Sequence, residues 1–212
     1  MFARSFKVVL AACCAVGALA ASPAHAALAF NLDHISSTAI ANTGTSVGTV
    51  TLTQNGANEV DVAVSLAADT KLINSGGPHT PFVFSLDPAK SGATVTVTSP
   101  PPATHPNFYA LTGTRPDVPY GTYTNGIGYT GQIGGGHGKA GPLLFTVTDL
   151  AGISVSDFTH NNLGFYFAAD VIGPNGGTGA VSAVPLPGSV GMFGSALLGL
   201  MGIAGARRKF IV

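Results

Sequence analysis

"TVTLTQNGANEVDVAVSL" (residues 49–66) alternates apolar and polar side chains on both sides of a short polar break. Alternation with a period of two is typical of β-strands that bury one face. The break contains Asn55-Gly56, and both residues accept the positive φ values that tight hairpin turns require. This stretch therefore predicts an antiparallel β-hairpin.

The same alternation recurs along residues 27–183, and glycine and proline separate most of the alternating segments. The clearest further segments are "ALAFNLDHI", "FVFSL", "ATVTVTS", "LLFTVTD", "LGFYFAAD" and "GAVSAV". No part of this region keeps the 3.6-residue period of an amphipathic helix. A series of short strands predicts an all-β domain, in which two antiparallel sheets pack face to face as a β-sandwich or jelly roll.

Residues 99–141 show little alternation and are rich in glycine and proline. A connection of this length is usually functional or disordered. Its spaced tyrosines indicate an ordered loop with short strands, because aromatic rings need packing partners. Two roles stay open for these rings, namely stacking on sugar rings and packing the loop onto the sandwich. The tyrosines are Tyr109, Tyr120, Tyr123 and Tyr129.

The charges are unevenly distributed, although the 9 basic and 9 acidic side chains of the 212 residues cancel. Five of the basic residues lie in the terminal segments, whereas all 9 acidic residues lie in residues 27–183. With the four remaining basic residues, this region carries a net charge of about −5. The net negative charge of residues 27–183 argues against nucleic acid as a partner, because the nucleic-acid backbone is also negatively charged. Charged residues make up only 8% of the chain, against roughly 25% in ordinary globular proteins. This composition indicates a turn-rich exported protein.

Residues 1–26 have the features of a secretory signal peptide. Arg4 and Lys7 form a basic start, and residues 8–21 form an apolar core. We therefore expect export through the Sec translocon and removal of this segment by signal peptidase.

The cleavage site is predicted between Ala26 and Ala27, because Ala24 and Ala26 supply the small residues required at positions −3 and −1. Cleavage there also removes Cys13 and Cys14, the only cysteines, and leaves a mature chain without thiols or disulfides. An alternative is a lipoprotein signal, since "LAAC" ends at Cys13. That interpretation leaves only five apolar residues after the basic start, which is short for a signal core.

Residues 190–206 form an uninterrupted stretch of apolar and small residues near the C-terminus. As a helix the stretch would be about 25 Å long, which is at the short limit for crossing a bilayer. Arg207, Arg208 and Lys209 follow directly, and basic residues beside a membrane span stay on the cytoplasmic side. The pattern predicts a single transmembrane helix with the body outside the inner membrane.

The order of parts in residues 184–212 is a short proline motif, an apolar span and a basic end. This order resembles the PEP-CTERM sorting signal of Gram-negative bacteria. Val184, Pro185, Leu186 and Pro187 match its motif, with Leu186 where the family typically has glutamate. The resemblance implies processing by exosortase, an enzyme of the inner membrane. It also implies that the precursor is held at that membrane before it reaches the cell surface or extracellular matrix.

The body carries few patterns that indicate chemistry. Glu59 and Asp61 lie two residues apart on one predicted strand face, which is the minimum for a glycosidase pair. No catalytic residue, cofactor or metal site is assigned, although calcium fits an extracellular β-domain with loop carboxylates. The candidate calcium ligands are Asp69, Asp87, Asp117, Asp170 and Asn175.

The sequence therefore predicts a non-enzymatic, exosortase-sorted protein of the cell surface or matrix. A carbohydrate-binding module acting on exopolysaccharide is the alternative, and a secreted hydrolase is less favoured.

Overall fold

The computed structural model describes residues 27–37, 40, 46–99, 108–130 and 137–185. The predictions for residues 1–26 and 186–212 lie outside the described residues. They include the signal peptide, half of the sorting motif, the membrane helix and the basic end. No helix among the described residues is both long and apolar enough to cross a membrane.

The described residues form an antiparallel β-domain with short 3₁₀ helices at Pro88–Lys90 and Val155–Asp157. The strands are β1 (Ala27–Ile35), β2 (Gly48–Gln54), β3 (Glu59–Leu66), β4 (Lys71–Leu72), β5 (Phe82–Leu86), β6 (Thr94–Val97), β7 (Phe108–Pro116), β8 (Thr122–Tyr129), β9 (Lys139–Ala140), β10 (Leu143–Thr148), β11 (Phe158–Thr159), β12 (Phe167–Ile172) and β13 (Thr178–Pro185).

The strands form one continuous sheet in the order β6-β10-β3-β2-β1-β13-β12-β5-β8-β7, with β4, β9 and β11 pairing beside this path. The predicted all-β antiparallel class is confirmed. The expected division into two separate sheets is wrong, because β1 pairs with β2 on one side and with β13 on the other and so joins the two halves. The sheet curls until β6 and β7 contact each other, which gives a nearly closed, barrel-like shape. Closure of this kind leaves few open strand edges.

The hairpin predicted from residues 49–66 is confirmed. β2 pairs antiparallel with β3, and Leu52 lies opposite Val62. Gly56 has a φ of 77°, which is the positive value that the turn requires.

Residues 99–141 contain far more strand than their sequence indicates. β7 and β8 form a long antiparallel hairpin in this segment. Glycines interrupt the alternation of apolar and polar residues in these strands, because they occupy positions where neighbouring atoms leave no room for a side chain. A Cβ on Gly126 would lie 3.0 Å from the Phe82 carbonyl oxygen, and one on Gly128 would lie 2.8 Å from the Tyr109 ring.

The main core fills the inside of the curled sheet and contains a group of packed phenylalanines. The Phe82 and Phe167 rings stack at 5.9 Å, and the Phe84 and Phe145 rings stack at 5.3 Å. Buried aromatic side chains contribute much of the apolar area in a β-domain of this size.

A second, smaller apolar layer lies on the outer face of the sheet. Val83, Ala168 and Ala180 belong to neighbouring strands and pack there with Tyr120 and Tyr123. The two tyrosines come from the turn and first residues of the β7–β8 hairpin, so this end of the hairpin covers the sheet. The arrangement buries polar groups as well as apolar ones.

Candidate functional site

Two buried carboxyl groups lie beneath the β7–β8 turn. Asp117 directly follows β7 and is 0% exposed, and Asp170 lies in β12 and is 1% exposed. Ala169 and Val171, the neighbours of Asp170 in the chain, belong to the main core. Because side chains alternate along a strand, Asp170 is directed to the outer layer.

The β7–β8 turn fixes the backbone of Asp117. Its amide donates to the carbonyl oxygen of Gly121 at 2.8 Å, and the Tyr120 amide donates to its carbonyl at 2.7 Å. The carboxylate Oδ1 lies 3.2 Å from His79 Nδ1. Oδ2 is buried and has no hydrogen-bond partner among the described residues. One oxygen of a fully buried carboxyl group is therefore unsatisfied.

Asp170 is held by the loop of residues 73–81. Its Oδ2 accepts a hydrogen bond from the Ser75 amide at 2.9 Å. The Ile73 amide donates to its backbone carbonyl at 2.9 Å. The loop turns at Gly76 and Gly77, which both have positive φ. These contacts place Ser75 and His79 over the two carboxyl groups.

The two carboxyl groups repel each other electrostatically. Burial raises the pKa of Asp117 well above its usual value, and the neighbouring Asp170 carboxylate raises it further. Burial also raises the pKa of Asp170, while hydrogen bonds from Ser75 and the nearby His79 oppose the rise. His79 is the one basic side chain that the described residues bring into an ion pair with Asp117. The pair can be neutralised by a proton or by a bound cation.

Three of the four tyrosines proposed as sugar contacts are buried. Tyr120 donates from its hydroxyl to the His34 carbonyl oxygen at 2.7 Å, and Tyr129 accepts a hydrogen bond from the Asn74 amide at 2.9 Å. Tyr123 is 2% exposed. Burial raises the pKa of its phenol, and the charge of the Asp117 carboxylate raises it further. Tyr109 alone of the four is exposed, at 43%. An open platform of four tyrosines is therefore not formed, and the packing role describes the other three.

The candidate calcium ligands do not come together as a group of five. Asp87 Oδ1 accepts a hydrogen bond from the Ala89 amide at 2.8 Å, and Asn175 Oδ1 accepts one from the Gly177 amide at 3.2 Å. Asp69 has a φ of 63° and lines an open cavity beside the β12–β13 turn. Asp117 and Asp170 are the two candidates whose charges interact. Within the described ranges, no three His, Cys, Asp or Glu side chains are arranged to hold a metal ion.

Both aspartates are among the predicted calcium ligands, but no sequence pattern pairs them, because they lie 53 positions apart. His79 lies in a glycine- and proline-rich loop, and its contact with Asp117 depends on the fold of that loop. One available signal was the acidic residue in "LGFYFAAD", where alternation directs the side chain away from the core.

Glu59 and Asp61 do lie on one face. The Asn55 side-chain Nδ2 donates to Glu59 Oε1 and lies 3.4 Å from Asp61 Oδ2, and the Thr146 hydroxyl donates to Asp61 Oδ1 at 2.8 Å. Beside them, an open cavity of about 630 Å³ is lined by amide, hydroxyl and carboxylate groups. Leu150, at its rim, is 98% exposed.

Comparisons of the chain with protein families, characterised proteins and solved structures give no match.

Proposed function

We propose that the chain is an exported protein of a Gram-negative bacterium, sorted by its C-terminal segment to the cell surface or extracellular matrix. Residues 27–183 act as a displayed, non-enzymatic β-domain. Signal peptidase removes residues 1–26, and exosortase acts on the tail at the inner membrane.

The pairing of the first and last strands carries this proposal. β1 begins at Ala27, next to the predicted cleavage site, and β13 ends at Pro185, within the sorting motif. The strands are antiparallel, with Phe30 opposite Pro185 and Asn31 opposite Val184. Both terminal segments therefore leave the β-domain at the same end. This geometry suits a precursor whose two apolar segments enter one membrane.

The distance from the β-domain to the predicted span is short. Only residues 186–189 separate the end of β13 from residue 190. Four extended residues reach at most about 14 Å. A folded body would therefore stand close to the membrane, with the end that carries Ala27 and Pro185 facing it.

The burial of Asp117 and Asp170 supports a non-enzymatic body. Their side chains are closed off from solvent, so an organic substrate does not reach them in this conformation. The Glu59–Asp61 pair is half-buried and would serve a hydrolase, although Glu59 Oε1 already accepts a hydrogen bond from Asn55 and Asp61 Oδ1 accepts one from Thr146.

Carbohydrate binding is the second candidate, and the cavity beside Glu59 favours it. Its lining groups suit the hydroxyls of an exopolysaccharide, and the exposed Leu150 offers an apolar surface to a sugar ring. Asn58 is one of the residues that line the cavity, so binding of neutral oligosaccharides that Asn58→Ala weakens would support this candidate.

Immunoblots of fractionated cells test the sorting proposal. An epitope tag inserted after Gly176, in the exposed β12–β13 turn, reports the size and location of the protein in its native host. We expect a shortened form at the surface or in the medium, and a full-length membrane form when exosortase is deleted. If the deletion changes neither size nor location, the tail is only an anchor.

A further inference from the structure

We propose that Asp117 and Asp170 bind one divalent cation under the β7–β8 turn, and that this cation is Ca²⁺.

The first argument is charge. Two carboxyl groups that are 0% and 1% exposed face a single nearby basic side chain, His79. Even a protonated His79 would neutralise only one of two carboxylates. Burying an uncompensated charge is costly, so a further positive charge at this place, a proton or a bound cation, stabilises the folded state.

The second argument is the unsatisfied oxygen. Asp117 Oδ2 is buried without a partner among the described residues, although buried polar atoms are nearly always satisfied. The Tyr123 hydroxyl in the same layer lies beside Asn161 but outside hydrogen-bonding geometry. Tyr123 also senses the charge of Asp117, so both unsatisfied oxygens belong to one polar region. A bound cation supplies what these oxygens lack.

The third argument is ligand chemistry. The oxygens near the pair are those of the two carboxyl groups, the Tyr123 hydroxyl and the backbone carbonyls of the β7–β8 turn. Ca²⁺ takes six to eight such oxygens, with water completing the shell, and does not need three acidic or imidazole side chains. Zinc sites do need three or four.

Such an ion would connect three separate elements. Asp117 belongs to the β7–β8 turn, Asp170 to β12, and Ser75 and His79 to the loop over both. These elements come together only in the folded chain, so a bound ion stabilises the native state over the unfolded state.

Calorimetric titration with CaCl₂ tests the proposal on the full-length chain, purified in a mild detergent and stripped with EDTA. We expect one saturable Ca²⁺ site per chain. Asp117→Asn and Asp170→Asn should each weaken binding by more than about ten-fold. Asp69→Asn and Asp87→Asn are matched controls, since both remove a carboxylate elsewhere, and should bind as the wild type does.

Thermal unfolding gives a second readout. Ca²⁺ at about one hundred times its Kd should raise the Tm of the wild type by about 5–10 °C and leave that of Asp117→Asn unchanged. Luminescence of bound Tb³⁺ reports where the ion binds. The chain has no Trp, so energy transfer to the ion must come from a nearby tyrosine. Tyr123→Phe should lower this emission, whereas Tyr109→Phe should not.

Absence of saturable Ca²⁺ binding to the wild type overturns the proposal, and so does binding that both aspartate variants retain. In the first case a proton shared within the pair is the remaining way to neutralise it. If one aspartate variant fails to fold, the other and the Tb³⁺ measurement on Tyr123→Phe decide.

Discussion

The side-chain amide of Asn161 donates a hydrogen bond to the carbonyl oxygen of Tyr120 at 2.6 Å, across 41 positions of sequence. The Asn161 Oδ1 also accepts hydrogen bonds from the amides of Leu163 and Phe165. One buried side chain thus fixes the loop before β12 and attaches the β7–β8 turn to it. Asp117 is the first residue of this turn.

Asn161→Ala should therefore destabilise the protein. It leaves the Tyr120 carbonyl and two loop amides without their partner, at a cost of about 2–4 kcal/mol. The Tm should fall by about 5–15 °C. Asn162→Ala is the control, because Asn162 is the exposed neighbour in the same loop. Equal Tm values for the two variants would show that the Asn161 contacts do not hold the turn.

The buried aspartates predict an unusual dependence of stability on pH in metal-free protein. The pKa of Asp117 is raised in the folded state, first by burial and then by Asp170. The stability that this shift contributes is full below about pH 4, the unfolded pKa, and is lost as pH rises through the folded pKa. The pKa of Asp170 is also raised, so its contribution to stability falls with rising pH in the same way. The other titratable groups near the pair are His79, Tyr120 and Tyr123.

Asp117→Asn removes this ionisation. In EDTA its Tm should exceed that of the wild type at pH 8, by on the order of 5 °C, and the difference should shrink towards pH 4. Unfolding followed by circular dichroism across this range measures the effect. A difference that is constant with pH would mean that the pKa of the Asp117 carboxyl is the same in the folded and unfolded states.

The sequence predicts the antiparallel class well because alternation is a local signal. The hairpin of residues 49–66 needs only its own period and the Asn55-Gly56 turn. The single curled sheet was not predictable in this way, since the pairing of β1 with β13 joins residues about 150 positions apart. The strands of the β7–β8 hairpin are longer than the short strands predicted for this segment, because Gly126 and Gly128 interrupt the local pattern at positions where other strands and side chains leave no room for a Cβ.

Alanine substitutions at Gly126 and Gly128 test whether these positions lack room for a side chain. A Cβ at Gly126 meets the backbone oxygen of Phe82 at 3.0 Å, which shifts only if β5 moves. We expect Gly126→Ala to cost about 1–3 kcal/mol. A Cβ at Gly128 meets the Tyr109 ring, and this exposed side chain can turn away, so Gly128→Ala should cost less. Gly92→Ala is the control, since nothing lies within 4 Å of its added Cβ. Urea unfolding of the three variants measures the order.

The start of the mature chain is a further prediction. Cleavage after Ala26 leaves β1 complete, because Ala27 pairs with Thr53 as its first residue. N-terminal sequencing of protein from the native host should therefore begin at Ala27. A lipid-modified Cys13 at the N-terminus would instead establish the lipoprotein signal.

The tail is expected to act through three parts in series. Residues 190–206 enter the membrane, the basic end stops translocation, and the proline motif presents an extended segment to the processing enzyme. Replacing Arg207, Arg208 and Lys209 with Ser should weaken membrane retention, because cytoplasmic positive charge fixes the orientation of the span. Fractionation of cells should then show less of the precursor in the membrane.

Replacing residues 184–187 with Ala should leave insertion intact and block maturation. Val184 and Pro185 lie in β13, and alanine keeps the backbone that pairs with β1, so the body should stay folded. A second variant that changes only Leu186 and Pro187 leaves β13 untouched and separates recognition from folding. Ser189→Ala is the control, since it alters the spacer outside the motif. Both motif variants should accumulate as full-length, membrane-held precursor, while the control matures. Normal maturation of both would mean that the enzyme does not read the prolines, and that the short spacer between β13 and the membrane directs the cut instead.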